Sequence, residues 1–283
     1  MTDQAEESIA NRAVHHGPVA LTSSIRSTDF LRNLEPWRRS KEIDQILHEG
    51  AVDLNALHAA AERRPPQRDS SFDQYRTDDW TSAQENLDED ELIIAGQEVM
   101  QAWERPLMHR MAAIATRTHG DVLELGFGMG ISATAILAEG VRSYTVIEAN
   151  SHVAERARAW AAERPDQTIT IVEGRWQDRI DELGQFDGIF FDTYPTSEEE
   201  ALAHNVEDTF YAEHFLPAGA RHLRPGGVLT YYTNEIDSLS REHQRIVLRH
   251  FTSVEIGVVE GLLPPEDCTY WWATSMAVVA LVR

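Results

Sequence analysis

A glycine-rich turn stands where an apolar run of the chain ends. The run Val122 to Leu125 leads into Gly126, Gly128 and Gly130, and a helix pattern begins at Ile131. Glycine lets the backbone turn tightly at a strand end and approach a ligand closely. The spacing G-x-G-x-G, with an acid two positions before the first glycine, differs from the G-x-G-x-x-G of dinucleotide sites. It favours S-adenosylmethionine over NAD, because the aminoacyl end of that cofactor brings no pyrophosphate to a helix N-terminus.

Further polar side chains follow the next apolar runs. Glu148 ends the second run, and a carboxylate about 20 residues beyond the glycines can accept hydrogen bonds from both ribose hydroxyls. Arg175 and Trp176 follow the third run, where an adenine would lie, and Trp176 could stack on it or merely pack. Asp192 ends the fourth run and opens the tetrapeptide D-T-Y-P. Ligands of open α/β sheets bind at this edge, so Asp192 is a candidate to contact a substrate.

The elements that must hold these residues alternate between short apolar runs and helical segments. Continuous apolar runs of this length predict parallel strands covered on both faces by helices. We predict strands at Asp121–Gly126, Tyr144–Glu148, Thr168–Val172, Asp187–Asp192, Gly227–Tyr232, Thr252–Val259 and Ser275–Val282, and helices at Ser151–Glu163 and Asp208–Leu223. The last two strands would form a hairpin-like addition to the sheet.

Upstream of the glycine turn, apolar residues recur at helical spacing from Leu87 to Met111, around an interruption at Pro106. A second helical pattern covers residues 41–63 and predicts a hairpin of two helices. The polar stretch after it reads as a linker, since tandem prolines break helices. We therefore predict an N-terminal helical module at 1–75 and a catalytic domain at 76–283. The hairpin has too little apolar surface to be stable alone, which predicts a homodimer through this module.

Composition limits the possible partners. The 283 residues include 25 Lys and Arg against 47 Asp and Glu, a net charge of −22. Such a chain repels the phosphate backbone of nucleic acids, so we do not expect a nucleic acid to be its methylation substrate. No apolar run approaches the ~20 residues of a membrane span, and the N-terminus lacks a secretory pattern, so a cytoplasmic protein is expected. The single cysteine, Cys268, excludes an intrachain disulfide and CxxC chemistry, and no metal site is expected.

Four separated segments carry a family resemblance: Glu98 to His109, Leu125 to Met129, Phe191 to Pro195 and Leu223 to Tyr231. Together they closely resemble the guanidinoacetate N-methyltransferase family, and the similarity spans roughly residues 80–283. It also extends to methyltransferases that act on the guanidino group of free L-arginine. The resemblance implies a seven-stranded, Rossmann-like class I methyltransferase sheet, with S-adenosylmethionine as cofactor and S-adenosylhomocysteine as product.

The resemblance also assigns site residues. The glutamate of the W-E pair, Glu104, and Asp192 would be the catalytic residues that hold the guanidinium, and the Leu229–Thr230 step would bind the substrate carboxylate. By the same match the cofactor would be bound by Trp80, Met100, Met108, Gly126, Phe127, Gly128, Met129, Gly130, Ile131, Ser132, Glu148, Ala149, Asn150, Arg175, Trp176 and Asp192.

Two carboxylates suit this chemistry. A guanidinium has a pKa of ~12.5–13.8 and delocalised lone pairs, so it is no nucleophile until a base takes a proton. Glu104 and Asp192 can form a fork on the guanidino nitrogens and align one of them with the methyl group. In the alternative interpretation, Glu104 only caps a helix beside Pro106 and Asp192 only ends a strand.

The acceptor stays open among guanidino compounds. Glu235 or Asp237, beyond Thr230, could meet an α-ammonium group, which L-arginine has and guanidinoacetate lacks. The composition, rich in Ala and Arg, is typical of a bacterial protein, for which creatine synthesis is not expected. On that ground we expect methylation of free L-arginine to N-omega-methyl-L-arginine. The alternatives are guanidinoacetate, with creatine as product, a protein arginine, or a cofactor-binding protein without activity. D-T-Y-P disfavours the protein substrate, because it stands where protein-arginine methyltransferases carry a hairpin with paired glutamates.

Overall fold

The computed structural model describes residues 80–195 and 211–283. The helical hairpin at residues 41–63, the linker and the domain boundary near residue 75 lie outside the described residues, as does the start of the helix predicted at Asp208–Leu223. Residues 265–273 group with an N-terminal unit that otherwise lies outside the description. In that segment Trp271 is buried, and its ring centroid lies 5.3 Å from that of Trp272. All elements below belong to the other unit.

A small antiparallel sheet opens the described chain. Its strands are β1 (Glu85–Leu87), β2 (Glu91–Ile94) and β3 (Gln97–Gln101), in the order β1-β2-β3. The prediction of helix from Leu87 onward is wrong here. Ala95 and Gly96 adopt φ angles of 53° and 79°, which a helix excludes and a tight hairpin turn requires. The spacing of the apolar residues in this segment fits both the helix period and the strand period, and the turn at Ala95 and Gly96 selects strands.

The first α-helix, α1 (Arg105–Ala115), begins beside Pro106, after a 3-10 turn at Ala102–Glu104. Proline suits the first turn of a helix because its missing N–H would have no partner there. The remaining helices of the described residues are α2 (Ile131–Ala138), α3 (Ser151–Ala162), α4 (Trp176–Arg179), α5 (Leu216–His222) and α6 (Arg241–Val247). Two more 3-10 turns cover Ile180–Glu182 and Tyr211–His214.

A seven-stranded sheet forms the centre of the unit, in the order β6-β5-β4-β7-β8-β10-β9. Its strands are β4 (Asp121–Leu125), β5 (Ser143–Glu148), β6 (Ile169–Glu173), β7 (Phe186–Phe191), β8 (Leu223–Tyr231), β9 (Ser253–Glu260) and β10 (Ser275–Val282). Strands β4 to β8 are parallel, and β10 runs antiparallel to both β8 and β9. The seven predicted strands and the antiparallel final pair are confirmed.

Helices cover both faces of this sheet, which confirms the predicted α/β layers. On one face, alternate strand residues such as Leu125, Phe191 and Tyr231 pack with α5 and α6 in a continuous apolar core. On the other face α1 packs on β7, β8 and β10 and against α2. Side chains alternate between the faces of a strand, so the residues between those core positions point toward α1. Within the described residues, no helix combines the length and apolar character needed to cross a bilayer.

Charged side chains tie the amino ends of the central strands together. Asp187 Oδ2 accepts hydrogen bonds from Asp121 N at 2.8 Å, Arg142 Nη2 at 2.9 Å and Arg224 Nη1 at 2.6 Å. Arg142 also binds Asp121 and lowers the pKa of that carboxyl group. A side chain at Gly120 would lie 2.1 Å from Asp187 Oδ2, so only glycine leaves room for this cluster.

We expect Asp187→Ala to lower the free energy of unfolding by roughly 1–3 kcal/mol, because three donors lose a shared acceptor. Urea denaturation measures the change. The control is Asp181→Ala, which removes ion pairs of a side chain that is 77% exposed and should cost less than about 1 kcal/mol. Equal effects of both variants would contradict a structural role for the cluster.

Candidate functional site

The carboxyl edge of the parallel strands aligns the polar residues of the site. Gly126 N donates to Ile147 O at 2.9 Å, and Asp192 N donates to Leu125 O at 3.2 Å, so the ladder continues one step beyond β4 and β7. Glu148 ends β5 at the same level. Glu148, Gly126 and Asp192 therefore form a row across adjacent strands, on the face of the sheet that α1 covers.

The glycine turn allows two close approaches. At Gly126, φ is +88° and an added Cβ atom would lie 2.4 Å from the carbonyl oxygen of Asp192. At Gly128, φ is +51° and a Cβ atom would lie 2.9 Å from Met100 Sδ. That sulfur atom accepts a hydrogen bond from Met129 N at 3.4 Å. The turn therefore lies between the end of β7 and β3, with Met100, a predicted cofactor residue, beside the glycine loop.

Glu148 joins the glycine turn to the end of β5. Its Oε2 accepts from Phe127 N and its Oε1 from Asn150 N, both at 2.8 Å. Burial raises the pKa of Glu148, and these backbone donors oppose that rise by favouring the ionised form. An ionised carboxylate has about four acceptor positions, so capacity remains for a ligand hydroxyl. Ala149 lies between the two hydrogen-bonded residues of this turn.

Asn150 fixes the segment that carries Trp80. Its Oδ1 caps α3 by accepting from His152 N at 3.0 Å and Val153 N at 3.1 Å. Its Nδ2 donates to Trp80 O at 2.7 Å and to Ala83 O at 2.9 Å. The structure therefore brings Trp80, which precedes all other predicted cofactor residues in the chain, next to the turn after Glu148.

Arg175 and Trp176 follow β6, at the start of α4. The Trp176 ring packs edge-on to Phe215 and Phe191, with centroids 5.2 Å and 6.1 Å away. The side chain is thus part of the aromatic core, as in the packing interpretation. Its buried Nε1–H has no hydrogen-bond partner in the described part of the chain, which leaves one donor for a ligand at this edge.

Glu104 is buried, with 3% of its surface exposed, at the start of α1. Its Oε1 accepts from Gln101 N at 2.9 Å within a reciprocal capping arrangement. The Glu104 side chain therefore caps the 3-10 turn before α1 and makes no capping hydrogen bond to α1 itself. This contact fixes the position of the carboxylate. Met108, on the first turns of the same helix, is fully buried. Helix α1 packs on β7 and β8, the strands that end at Asp192 and carry Thr230.

Asp192 and Thr230 are polar residues in environments that do not fully compensate their polar groups. Asp192 is half-buried, and burial raises its pKa to about 7. Thr230 is fully buried, and its Oγ1 has no hydrogen-bond partner among the described residues. A buried polar group without a partner costs about 1–3 kcal/mol, which is typical of positions where a ligand completes the contact. The neighbouring Leu229 side chain packs in the core on the opposite face, so only its backbone faces the edge.

Glu235 is engaged within the fold. Its Oε1 accepts from Ser240 N at 3.3 Å and contacts His243 Nδ1 at 3.3 Å. The backbone of Glu235 accepts from Ala277 N at 2.7 Å. This carboxylate therefore holds the loop after β8 to α6, and its contact with a substrate ammonium group stays a prediction.

Sequence reasoning treated Glu124 only as part of the glycine motif. Glu124 is fully buried and accepts hydrogen bonds from the hydroxyls of Ser132 and Tyr144. Burial raises its pKa to about 8, and the nearby charges of Asp192 and Glu148 add to that rise. The hydroxyl of Ser132, a predicted cofactor residue, thus donates its hydrogen bond to Glu124. Ile131, another predicted cofactor residue, is buried at the start of α2.

Arg156 was also missed. Its Nη2 donates to the carbonyl of Gly128 at 2.8 Å and pairs with Glu85 at 2.8 Å, and its guanidinium lies 5.5 Å from the centroid of the Phe127 ring. These partners lie far away along the chain, so no local pattern marks them. Gly130 completes the turn, where φ is +76° and an added Cβ atom would meet the Phe127 ring.

A small, open recess lies at the same edge, over the ends of β7 and β8. It is lined mostly by aromatic side chains. The lining residues are Phe191, Thr193, Tyr194, Tyr211, Ala212, Tyr232 and Asn234. Of the D-T-Y-P tetrapeptide, the two residues after Asp192 therefore face this recess.

Comparison with known proteins places these features in context. Residues 72–283 match the sequence profile of the guanidinoacetate N-methyltransferase family. The chain is 41% identical over 105 residues to protein arginine N-methyltransferase 2 of Aspergillus oryzae, covering 35% of this chain and 25% of that protein. The protein of the same name from Saccharomyces cerevisiae is 32% identical over 115 residues, covering 37% and 27%. The chain thus spans about a quarter of the length of these curated relatives.

Solved structures give weaker similarities. Spermidine synthase from Thermotoga maritima aligns with a TM-score of 0.47 at 15% identity, over 68% of this chain and 64% of that one. Precorrin-6y C5,15-methyltransferase from Geobacter metallireducens aligns with a TM-score of 0.44 at 13% identity, over 62% and 87%. The assignment therefore depends on the sequence profile, which covers the glycine turn, Glu104, Glu148 and Asp192. The chain belongs to the guanidinoacetate N-methyltransferase family.

Proposed function

We propose that this chain transfers the methyl group of S-adenosylmethionine to a guanidino nitrogen of a small molecule, and that the acceptor is free L-arginine. The products would be N-omega-methyl-L-arginine and S-adenosylhomocysteine. The observation that carries the proposal is Asp192, an acid with a pKa raised to about 7 beside the glycine turn. Family membership supports a guanidino acceptor.

The residues at the sheet edge fit the cofactor. Glu148 has acceptor capacity for ribose hydroxyls, and the glycine turn presents backbone where any side chain would clash. Trp176 Nε1–H supplies a buried donor on the side where adenine is expected. Trp80 and Met100 adjoin the same turn. When bound, the cofactor supplies an electrophilic methyl group on a sulfonium centre.

The chain's own acids would prepare the acceptor nitrogen. The guanidinium arrives protonated, and its charge makes the buried acids favourable partners. Asp192, with a pKa near 7 before substrate binds, is matched to accept a proton at neutral pH. Glu104, fixed by the hydrogen bond from Gln101 N, would hold the other guanidino nitrogens.

Substrate choice separates two candidates within the family. For guanidinoacetate, the Leu229 backbone and the unpartnered Thr230 hydroxyl would bind a carboxylate one methylene from the guanidino group. L-Arginine needs a second polar subsite further along its chain. The names of the fungal relatives raise a protein arginine as a third candidate. Mass spectrometry of the products from L-arginine, guanidinoacetate, agmatine and an arginine-containing peptide distinguishes them, and no methylation of any would contradict the proposed function.

We further propose that the protein works in the cytoplasm as a homodimer formed through its N-terminal region, without nucleic-acid or membrane partners. The net charge of −22 supports the absence of a nucleic-acid substrate. Sedimentation of the full chain tests the assembly, since a monomer at micromolar concentration would exclude the dimer.

The Glu148→Ala variant should bind S-adenosylhomocysteine at least about tenfold more weakly, because hydrogen bonds to charged groups contribute roughly 1.5–3 kcal/mol each. Calorimetric titration measures the affinity. Glu173→Ala is the matched control, because Glu173 ends the adjacent strand in register with Glu148 but pairs with Arg158. An analogue without the 2′-hydroxyl should lose less affinity on mutation than the full cofactor. An equal loss would assign Glu148 to loop support alone.

Asp192→Asn keeps the size of the side chain but removes the proton acceptor, so turnover should fall by about 10²–10⁴. Glu104→Gln should also reduce turnover and weaken acceptor binding, since a neutral amide loses the charge-assisted pair. The two losses should be strongly non-additive, because both acids act on one cation. Steady-state kinetics of both single variants and the double variant test this. Near-normal rates in either single variant would remove that residue from the mechanism, with exposed Asp166→Asn as control.

The pH profile of the free protein should report Asp192. The ionised carboxylate is the active base, and its pKa is raised to about 7, so kcat/KM should fall tenfold per pH unit below that value and level off above it. Initial rates between pH 5.5 and 8.5 test the profile. A flat profile over this range would show that proton transfer to Asp192 does not limit the reaction.

A further inference from the structure

Arg156 lies where three segments meet around the glycine turn. It belongs to α3, and its guanidinium makes a bidentate contact with Glu85 of β1. In that contact Nη2 donates to Oε2 at 2.8 Å and Nε donates to Oε1 at 3.1 Å. The same Nη2 donates to the carbonyl oxygen of Gly128 at 2.8 Å. The guanidinium therefore joins α3 to the glycine turn and to the small antiparallel sheet.

This ion pair is shielded from solvent. The side chain of Arg156 is 24% exposed and that of Glu85 is 14% exposed. In the nearby pair of Arg158 with Glu173 the side chains are 48% and 41% exposed. Water and salt screen a shielded pair less than an exposed one, and two hydrogen bonds between a guanidinium and a carboxylate add geometric specificity. The pair can therefore fix the position of a third group that Arg156 binds.

The peptide unit between Gly128 and Met129 is held at both of its polar atoms. Its carbonyl oxygen accepts from Arg156, and its N–H donates to Met100 Sδ at 3.4 Å. The two contacts lie on opposite sides of the peptide, because a peptide unit is planar and trans. Met100 lies on β3 and Glu85 on β1 of the same small sheet. This sheet therefore acts on the peptide directly through Met100 and indirectly through Arg156.

The glycine turn depends on such contacts from outside. Gly128 and Gly130 have φ angles of +51° and +76°, and glycine restricts the backbone less than any other residue. Within the turn, Gly130 N donates to Phe127 O at 2.8 Å. That hydrogen bond closes the turn but does not involve the peptide between its ends. The orientation of this peptide is therefore set by side chains of other segments.

Arg156 also influences the carboxylate next to the turn. Its guanidinium lies 5.5 Å from the centroid of the Phe127 ring, and Phe127 N donates to Glu148, the proposed ribose ligand. Burial raises the pKa of Glu148, and the positive charge of Arg156 opposes that rise together with the backbone donors. One cation thus supports both the shape of the turn and the ionised form of Glu148.

We propose that Arg156 is a positioning residue for the cofactor and that Glu85 acts through it. The inference rests on the proposed function, in that S-adenosylmethionine is the cofactor. Arg156, held by Glu85, keeps the Gly128–Met129 peptide in one orientation, so the turn is ordered before the cofactor arrives. Preordering raises affinity, because binding then carries a smaller entropy cost. Loss of the pair weakens cofactor binding and leaves methyl transfer from the bound cofactor unchanged.

The first test removes the guanidinium. Arg156→Ala should raise the Kd of S-adenosylhomocysteine at least about tenfold in calorimetric titration. Arg156→Lys should have an intermediate Kd, because an ammonium group keeps the charge but not the planar fork. KM for S-adenosylmethionine should rise in parallel, whereas kcat at saturating cofactor should change less than about twofold. Arg158→Ala removes the exposed pair on the same helix and is the control, with a change in Kd of less than about twofold.

The second test determines whether Glu85 acts through Arg156. Glu85→Gln keeps the size of the side chain and should weaken binding of S-adenosylhomocysteine at least about threefold, since a neutral amide loses the charge-assisted pair. The double variant with Arg156→Ala should bind about as weakly as Arg156→Ala alone, because the two residues form one interaction. Where Arg156→Ala does not fold, Glu85→Gln and Arg156→Lys carry the test, and unchanged affinity in both would overturn the inference.

Two further results would contradict the positioning role. The first is an equal loss of affinity in Arg156→Ala and Arg158→Ala, or no loss in either. The second is full additivity of the Glu85 and Arg156 variants, which would assign the two residues to separate roles. A wild-type protein that binds S-adenosylhomocysteine but methylates no guanidino compound would instead reject the proposed function and leave the positioning role intact. No binding by the wild-type protein would reject both.

Discussion

Acidic side chains buried at one edge of the sheet set the electrostatic character of the site. Glu104, Glu124 and Glu148 are buried and Asp192 is half-buried, all in the layer between the sheet and α1 or at its rim. Burial disfavours the charged form of an acid, and neighbouring acids add to that effect. The pKa of Glu124 rises to about 8 and that of Asp192 to about 7. Such an edge favours a cationic ligand, which lowers the cost of ionising these groups.

The two edges of the same sheet shift the pKa values of their acidic side chains in opposite directions. At the amino edge, Asp121 and Asp187 share Arg142 and Arg224, and the pKa of Asp121 is lowered. That arrangement serves stability, because the ionised form is paired in the folded state. At the carboxyl edge, backbone amides and hydroxyls are the donors in the contacts described for Glu124 and Glu148. Hydrogen bonds of that kind orient an acid and favour its ionised form, but here burial opposes them and raises the pKa of both groups.

Precise positioning at the carboxyl edge comes from contacts that exclude larger residues. Gly126 permits the carbonyl of Asp192 to approach the turn, and Gly128 permits the sulfur of Met100 to do the same. Asn150 caps α3 and holds Trp80 with one side chain. Contacts with β10 and α6 fix the loop after β8. This edge of the sheet is therefore assembled from segments far apart in the chain.

The amino-acid sequence by itself determined the sheet and the candidates on it. Apolar runs marked all seven strands. They are least interrupted where a strand is covered on both faces, as in β10, whereas the edge strand β9 carries exposed polar residues. Glycine spacing marked the turn, because a positive φ angle combined with a close approach of backbone, as at Gly126, leaves room for glycine alone. Strand ends then pointed to Glu148 and Asp192, and the W-E pair pointed to Glu104.

Only the tertiary structure decided the rest, because it depends on contacts that periodicity does not record. The segment after Leu87 fits helix and strand equally, and the Ala95–Gly96 turn makes it a hairpin. The contacts of Glu235 with Ser240 and His243, which join the loop after β8 to α6, have no signal in the sequence. In the sequence, Glu124 is only the acid that precedes the glycine turn. The structure shows that it is buried and accepts hydrogen bonds from Ser132 and Tyr144. Secondary-structure propensity depends on residues close together in the chain, whereas burial and charge interactions depend on contacts between distant segments. Those long-range contacts determine the chemistry of this edge.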